Sequence, residues 1–147
     1  MVIVGILLSV NLIVVEKSHH KMTLFDHGRA IKTYRVSLGP DLGPKQKKGD
    51  GRTPEGRYVI DARNAASHYH RALHVSYPNA ADRRNARRRD VDPGGDIMIH
   101  GLPNGYGKLG RLHLAHDWTR GCIAVTDDEI EEIWKLVPNG TAIEIRP

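Results

Sequence analysis

Ile97-Met98-Ile99-His100-Gly101 and Trp118-Thr119-Arg120-Gly121-Cys122-Ile123-Ala124 are the two segments on which the reading of this chain turns. Each joins a short apolar run of strand type to a glycine and to a side chain with chemistry. His100 closes its run, a strand-end position from which an imidazole reaches a cleft. Gly121 allows a tight turn just before Cys122, so that successive N–H groups can point at one spot.

Working outward, Thr126-Asp127-Asp128-Glu129 reads as a capping box, a Thr N-cap with Glu three residues on. Ile130, Ile133, Trp134 and Val137 follow at i, i+3, i+4 and i+7, one apolar stripe of a helix that Pro138 stops. Asn139-Gly140 turns the chain into a last strand over 141–146. Upstream, runs 11–17 and 21–26 form a hairpin through Ser18-His19-His20, and His27-Gly28 is a second turn. Residues 29–38 alternate, with Tyr34, Val36 and Leu38 on the apolar parity. A long loop over 39–56 carries five glycines, three prolines and three lysines, and a loop of that length inside a domain is commonly functional. Residues 57–62 and 71–76 return to strand character, and the basic stretch 79–89 suits a helix. The pattern predicts a mainly β fold with one or two short helices, without internal repeats.

The chain of 147 residues fits one domain. With 39% hydrophobic and 27% charged residues it can build a core and is not a disordered chain. The net charge of +5 is local, concentrated in Arg83, Arg84, Arg87, Arg88, Arg89 and Lys45. Two Trp, five Tyr and one Phe, with no recognisable nucleic-acid motif, argue against a nucleic-acid partner. The arginine run has two readings, a solvated helix face or a surface for an anionic polymer. Residues 1–15 are apolar apart from Ser9 and Asn11, too short for a span of about 20 residues. Residues 1–10 read either as the remnant of a signal or anchor or as the approach to a first strand, and 11–147 as the domain.

Cys122 is the only cysteine, which excludes an internal disulfide and a multi-cysteine metal site. A thiol is nucleophilic as thiolate, so it needs a base or a positive environment, and His100 is the candidate base. From the residues alone, an inert core thiol beside Ile123, Ala124 and Val125 is the favoured reading, because free cysteine is among the most buried residue types. His68, His70, His74, His113 and His116 lack a carboxylate at ligand spacing, so no metal or other cofactor is expected.

Several motifs in order bear on that choice. Ile99-His100-Gly101 followed by Thr119-Arg120-Gly121-Cys122, with Gly49-Asp50-Gly51-Arg52-Thr53-Pro54-Glu55-Gly56 upstream and Asn139-Gly140-Thr141-Ala142-Ile143 downstream, resembles the YkuD-type L,D-transpeptidase catalytic domain over about residues 11–147. Ser76-Tyr77-Pro78-Asn79 and Asp117-Trp118-Thr119 are similar to segments of one bacterial branch. The resemblance implies a β-sandwich-like fold of mixed sheets with the cysteine in a cleft. It implies that Cys122 attacks the L-centre carbonyl of a diamino acid–D-Ala bond in a peptidoglycan stem, and that a thioester then passes to an amine, or to water in a carboxypeptidase. It makes His100 the base, Gly101 the group orienting the imidazole through its carbonyl, and the amides of Arg120, Gly121 and Cys122 the oxyanion hole. It puts the donor site near Ser67 and His70, with Tyr77, Trp118 and Thr119 as further substrate-binding candidates. Arg120 stands where many members have His, and Ala124 where many have Arg or Asn. A guanidinium stays protonated, so Arg120 is no base. The implied partners are peptidoglycan stem peptides, carbapenem-type inhibitors acylating Cys122, and an anionic wall polymer. The expected setting is the periplasm or another extracytoplasmic part of the envelope, with the chain as a monomer. A non-catalytic wall-binding module is the alternative outside enzymology.

Overall fold

The computed structural model describes residues 8–147, so most of the 1–10 segment lies outside the described residues. Val10 is buried, and its carbonyl accepts a hydrogen bond from Thr141 Oγ1 at 3.4 Å.

Eight strands form one mixed sheet: β1 (Leu12–Glu16), β2 (Lys21–Asp26), β3 (Arg29–Arg35), β4 (Gly56–Ser67), β5 (His70–Val75), β6 (Met98–His100), β7 (Ile123–Ala124) and β8 (Ala142–Arg146), in the spatial order β3-β2-β1-β8-β4-β5-β6-β7. The expected hairpin forms, with Leu12 opposite Phe25. The last strand then inserts beside β1 in parallel, Ile13 opposite Ile143. β4 is longer than the sequence suggests. Its first four residues pair with β8 and the remainder with β5, with register shifts after Ile60 and Asn64. Such irregularities bend a strand and increase its twist, and the sheet curls there. The curl brings the far ends of the order together: Ser37, just beyond β3, bridges Ala124 of β7 through both backbone hydrogen bonds. The layers of the expected sandwich-like fold are thus faces of one rolled sheet around a shared core that includes Ile13, Leu24, Tyr34, Ile60, Leu73, Ile99, Ile123 and Ile143.

Two α-helices cover it, α1 (Ala80–Arg89) and α2 (Asp127–Leu136), with 3-10 segments at Lys17–His19 and Gly107–Ala115. In α2 the capping box is present as read: Thr126 Oγ1 accepts from Glu129 N, and Glu129 Oε1 accepts from Thr126 N. Ile130 and Ile133 are buried, and the helix lies against β5 and β6. α1 is held differently. Asn79 and Asp82 form its own capping box, Tyr58 donates to Asp82 at 2.8 Å, and Ala86 is its buried residue. Its five arginines are exposed, and none forms an ion pair among the described residues.

Candidate active site

β6 and β7 run parallel, with Ile99 opposite Ile123 and His100 opposite Ala124. Cys122 directly precedes β7, so it falls on the same face as His100, one diagonal step away. The sheet register therefore brings base and thiol candidates into one cleft of about 710 Å³. Gly121 makes the entry to β7 possible. Its φ is 129°, and a Cβ there would lie 2.6 Å from the Arg52 carbonyl oxygen.

His100 is buried, and its Nδ1 lies 2.6 Å from the Gly101 carbonyl oxygen. A carbonyl only accepts, so Nδ1 carries the proton and Nε2 is left as the basic nitrogen. Tyr69 stacks on the ring at 4.4 Å, and Trp118 tilts against it at 5.8 Å. Burial pushes the His100 pKa below the ordinary imidazole value, only partly opposed by the Gly101 hydrogen bond. Cys122 is half-buried, and its thiol donates to the Asp96 carbonyl at 3.3 Å. Burial pushes the thiol pKa up. Burial thus disfavours the charged form of both groups lining the cleft. That arrangement suits proton removal during attack rather than a standing thiolate–imidazolium pair.

Thr119 holds the nucleophile loop. Its buried hydroxyl donates to the Cys122 carbonyl at 2.7 Å and accepts from Gly121 N at 3.2 Å. Of the three amides expected to form an oxyanion hole, one is thus engaged within the loop. The Gly121 N–H is already engaged, whereas those of Arg120 and Cys122 have no hydrogen-bond partner among the described residues. The neighbouring residues tie the loop down. Asp117 bonds His20 at 2.8 Å and Leu38 N at 3.0 Å, and Trp118 Nε1 donates to His113 Nδ1 at 2.9 Å.

The substrate-binding candidates divide. Trp118 and Thr119 line the cleft, but the Thr119 hydroxyl is occupied. Ser67, His70 and Tyr77 do not line it. Ser67 caps the β4–β5 turn by accepting from Tyr69 N, His70 pairs with Glu131 at 2.9 Å, and Tyr77 is a core residue whose hydroxyl donates to the Pro93 carbonyl. Ser67 ends β4, His70 opens β5 and meets α2 through Glu131, and Tyr77 lies beyond β5 in the core. Sequence reasoning missed Tyr69 and Lys45. The signal for Lys45 was its place in the long glycine-rich loop, and Tyr69 carried none. Among the described residues no three His, Cys, Asp or Glu side chains converge as a metal site, and no helix is long and apolar enough to cross a membrane.

Beside the cleft, sharing Trp118 and Pro103 with it, lies an apolar groove of about 370 Å³ built on the Gly107–Ala115 segment.

The family model of the YkuD L,D-transpeptidase catalytic domain matches residues 10–145. The chain is 33% identical over 110 residues to the putative L,D-transpeptidase YafK of Escherichia coli K12, covering 73% of this chain and 37% of that protein. The structure is similar to the helical cell shape determining protein Pgp2 of Campylobacter jejuni, at a TM-score of 0.72 and 25% identity, covering 92% of this chain and 47% of that one. It shares its fold with the LD transpeptidase LdtMt1 in complex with imipenem, at a TM-score of 0.58 and 19% identity, covering 91% and 57%. The chain thus spans about a third of the curated relative and about half of these two solved structures.

Proposed function

The chain belongs to the L,D-transpeptidase catalytic domain family, and from that premise we propose that it is a cysteine-dependent peptidoglycan L,D-transpeptidase of the cell envelope. The observation that carries this reading is the shared cleft of Cys122 and His100, with Nδ1 of the imidazole held by the Gly101 carbonyl.

Attack begins when the Cys122 thiol leaves the Asp96 carbonyl and turns to His100. Nε2 takes the Sγ proton as Sγ bonds to the L-centre carbonyl carbon of the diamino acid–D-Ala bond. Negative charge develops on the carbonyl oxygen, and the free amides of Arg120 and Cys122 are the donors available to it, the role of an oxyanion hole. The tetrahedral intermediate collapses, the C–N bond breaks, and the imidazolium returns its proton to the departing D-alanine amine. A thioester on Cys122 remains. The acceptor amine loses a proton to His100 as it attacks the thioester, and Sγ leaves to be reprotonated. Tyr69 and Trp118 wall the imidazole and limit its rotation.

Peptidoglycan stem peptides are the substrates on this reading. Carbapenems acylate Cys122, an expectation supported by the imipenem complex of a protein with this fold. Similarity to a cell-shape protein supports a role in wall remodelling. Hydrolysis is the second reading, since nothing in the cleft reserves the thioester for an amine. A binding module without catalysis has no need of both Cys122 and a buried, tautomer-fixed His100.

The test is intact mass of the products formed from a disaccharide-tetrapeptide. A species of two stems less one D-alanine identifies transpeptidation, and a tripeptide alone identifies a carboxypeptidase. Unchanged substrate, with no carbapenem adduct on Cys122, overturns the enzymatic reading. Cys122→Ala is expected to abolish turnover, and His100→Ala to lower it by about 10²–10⁴-fold, both with wild-type far-UV spectra.

A further inference from the structure

The cleft has a cation that the mechanism above does not use. Lys45 lines it together with Cys122, yet its side chain is only 4% exposed. Its ammonium donates to Asp50 Oδ1 at 3.0 Å and to the Lys47 carbonyl at 3.0 Å. An ammonium carries three donors, so one N–H of this buried group has no partner among the described residues.

Asp50 does not cancel that group. Its two oxygens also accept from the amides of Gln46 at 2.8 Å, Lys47 at 3.1 Å and Arg52 at 3.2 Å. The carboxylate charge is spread into the loop behind Lys45, and the free N–H is left on the ammonium. The segment leading to Asp96 is close. Gly94, itself a lining residue, packs so tightly on the loop that a Cβ would meet Lys48 Cα at 3.0 Å and Lys45 Cε at 3.4 Å. Two residues further on, Asp96 accepts the Cys122 thiol. Lys45 therefore sits under the same short stretch of wall that faces the nucleophile. Its positive charge also acts on the Cys122 thiol, in the lowering direction.

Lys48 and Arg120 are the other cations of the cleft, and Asp96 is its one lining carboxylate. Both of those cations are exposed, and neither side chain is fixed by a hydrogen bond among the described residues. Holding an anion with them costs side-chain entropy that the locked Lys45 has already lost in folding.

We propose that Lys45 is a specificity-determining residue that binds the terminal carboxylate of the leaving D-alanine through its free N–H. This rests on the transpeptidase reading above. In a stem ending in D-alanine, that carboxylate is one residue beyond the scissile carbonyl, a separation of about 3.8 Å between α-carbons. An anion seated there aligns the scissile bond over Cys122. The assignment makes the enzyme selective for a free C-terminus on the donor.

The experiment compares kcat/KM of the wild-type protein on a disaccharide-tetrapeptide ending in D-alanine and on the same compound ending in D-alaninamide. A loss of about 10-fold to 100-fold for the amide is expected, the range for removing a hydrogen bond to a charged group. Equal turnover of the two overturns the proposal and leaves the enzymatic reading standing. Absence of turnover on both, with no carbapenem adduct on Cys122, overturns that reading and this proposal with it. The double variant Lys45→Gln/Asp50→Asn replaces the buried pair by a neutral one and is expected to bring the ratio of the two substrates close to one. A folded double variant that still discriminates overturns the assignment to Lys45. Should it fail to fold, Lys48→Gln and Arg120→Gln decide: discrimination surviving in both supports Lys45, and its loss in either overturns the proposal.

Discussion

Replacing Thr119 by valine tests whether the nucleophile loop is held from within. The substitution keeps shape and removes one hydroxyl, which donates to the Cys122 carbonyl at 2.7 Å and accepts from Gly121 N at 3.2 Å. Thr119 is only 6% exposed, so water does not readily replace it. Each buried group left unpaired costs about 1–2 kcal/mol, giving about 2–4 kcal/mol for the pair. At roughly 3 °C per kcal/mol for a chain of this size, the melting temperature should fall by about 6–12 °C. Catalysis should fall too, because the freed Gly121 amide and Cys122 carbonyl no longer fix the thiol and the adjacent amides. A misplacement of about 1 Å costs roughly 100-fold in rate, so carbapenem acylation of Cys122, followed by intact mass against time, should slow by about that factor. Thr119→Ser should keep most of both properties. If Thr119→Val melts within about 1 °C of wild type and acylates at the wild-type rate, the loop is anchored elsewhere and the reasoning is wrong.

The pH dependence follows from two opposed shifts. Burial holds His100 below the usual histidine value, so carbapenem acylation should keep its plateau below pH ~6.5 and decline only at more acid pH. The thiol is pushed up, so alkylation of Cys122 by iodoacetamide in His100→Ala should rise only above the usual thiol range of about 8–9. A rise centred near neutrality would mean a standing thiolate. His100 and His113 both titrate low when folded, so the unfolded chain takes up their protons first as pH drops. Stability should therefore fall as pH is lowered from about 6.5 towards the folded values, by about 1.4 kcal/mol per unit per histidine, and His100→Gln should make the melting curve less pH-sensitive. Ile133→Ala empties a fully buried position where α2 meets the sheet and should cost about 2–5 kcal/mol in urea unfolding. If the arginines of α1 bind an anionic wall polymer, replacing Arg83, Arg84, Arg87 and Arg88 with glutamine weakens salt-dependent sedimentation with purified cell wall, whereas unchanged sedimentation leaves them a solvated helix face.

Features that depend on neighbours a few residues apart are legible in the amino-acid order. The capping box at Thr126, the stripe through Ile130 and Ile133, the stop at Pro138 and the first hairpin all rest on local hydrogen bonds and periodicity. The segments around His100 and Cys122 stand out through their glycines, but it is the family resemblance of several ordered motifs, not local pattern, that sets a nucleophile reading of Cys122 above an inert core thiol. The parallel insertion of β8 beside β1, the curl at β4 and the Ser37–Ala124 closure emerge from the folded chain alone, because these pairings join segments with no local signal for one another. The folded chain also sets the makeup of the cleft. Tyr69 reaches His100 because β5 lies next to β6, and Lys45 is buried because the glycine-rich loop folds around Asp50. Gly121 loses its free amide to a threonine two residues away, a choice made by how the turn is packed rather than by its composition. Side-chain pattern fixes which way a short segment faces, whereas long-range pairing fixes what it faces, and the site is built from the second.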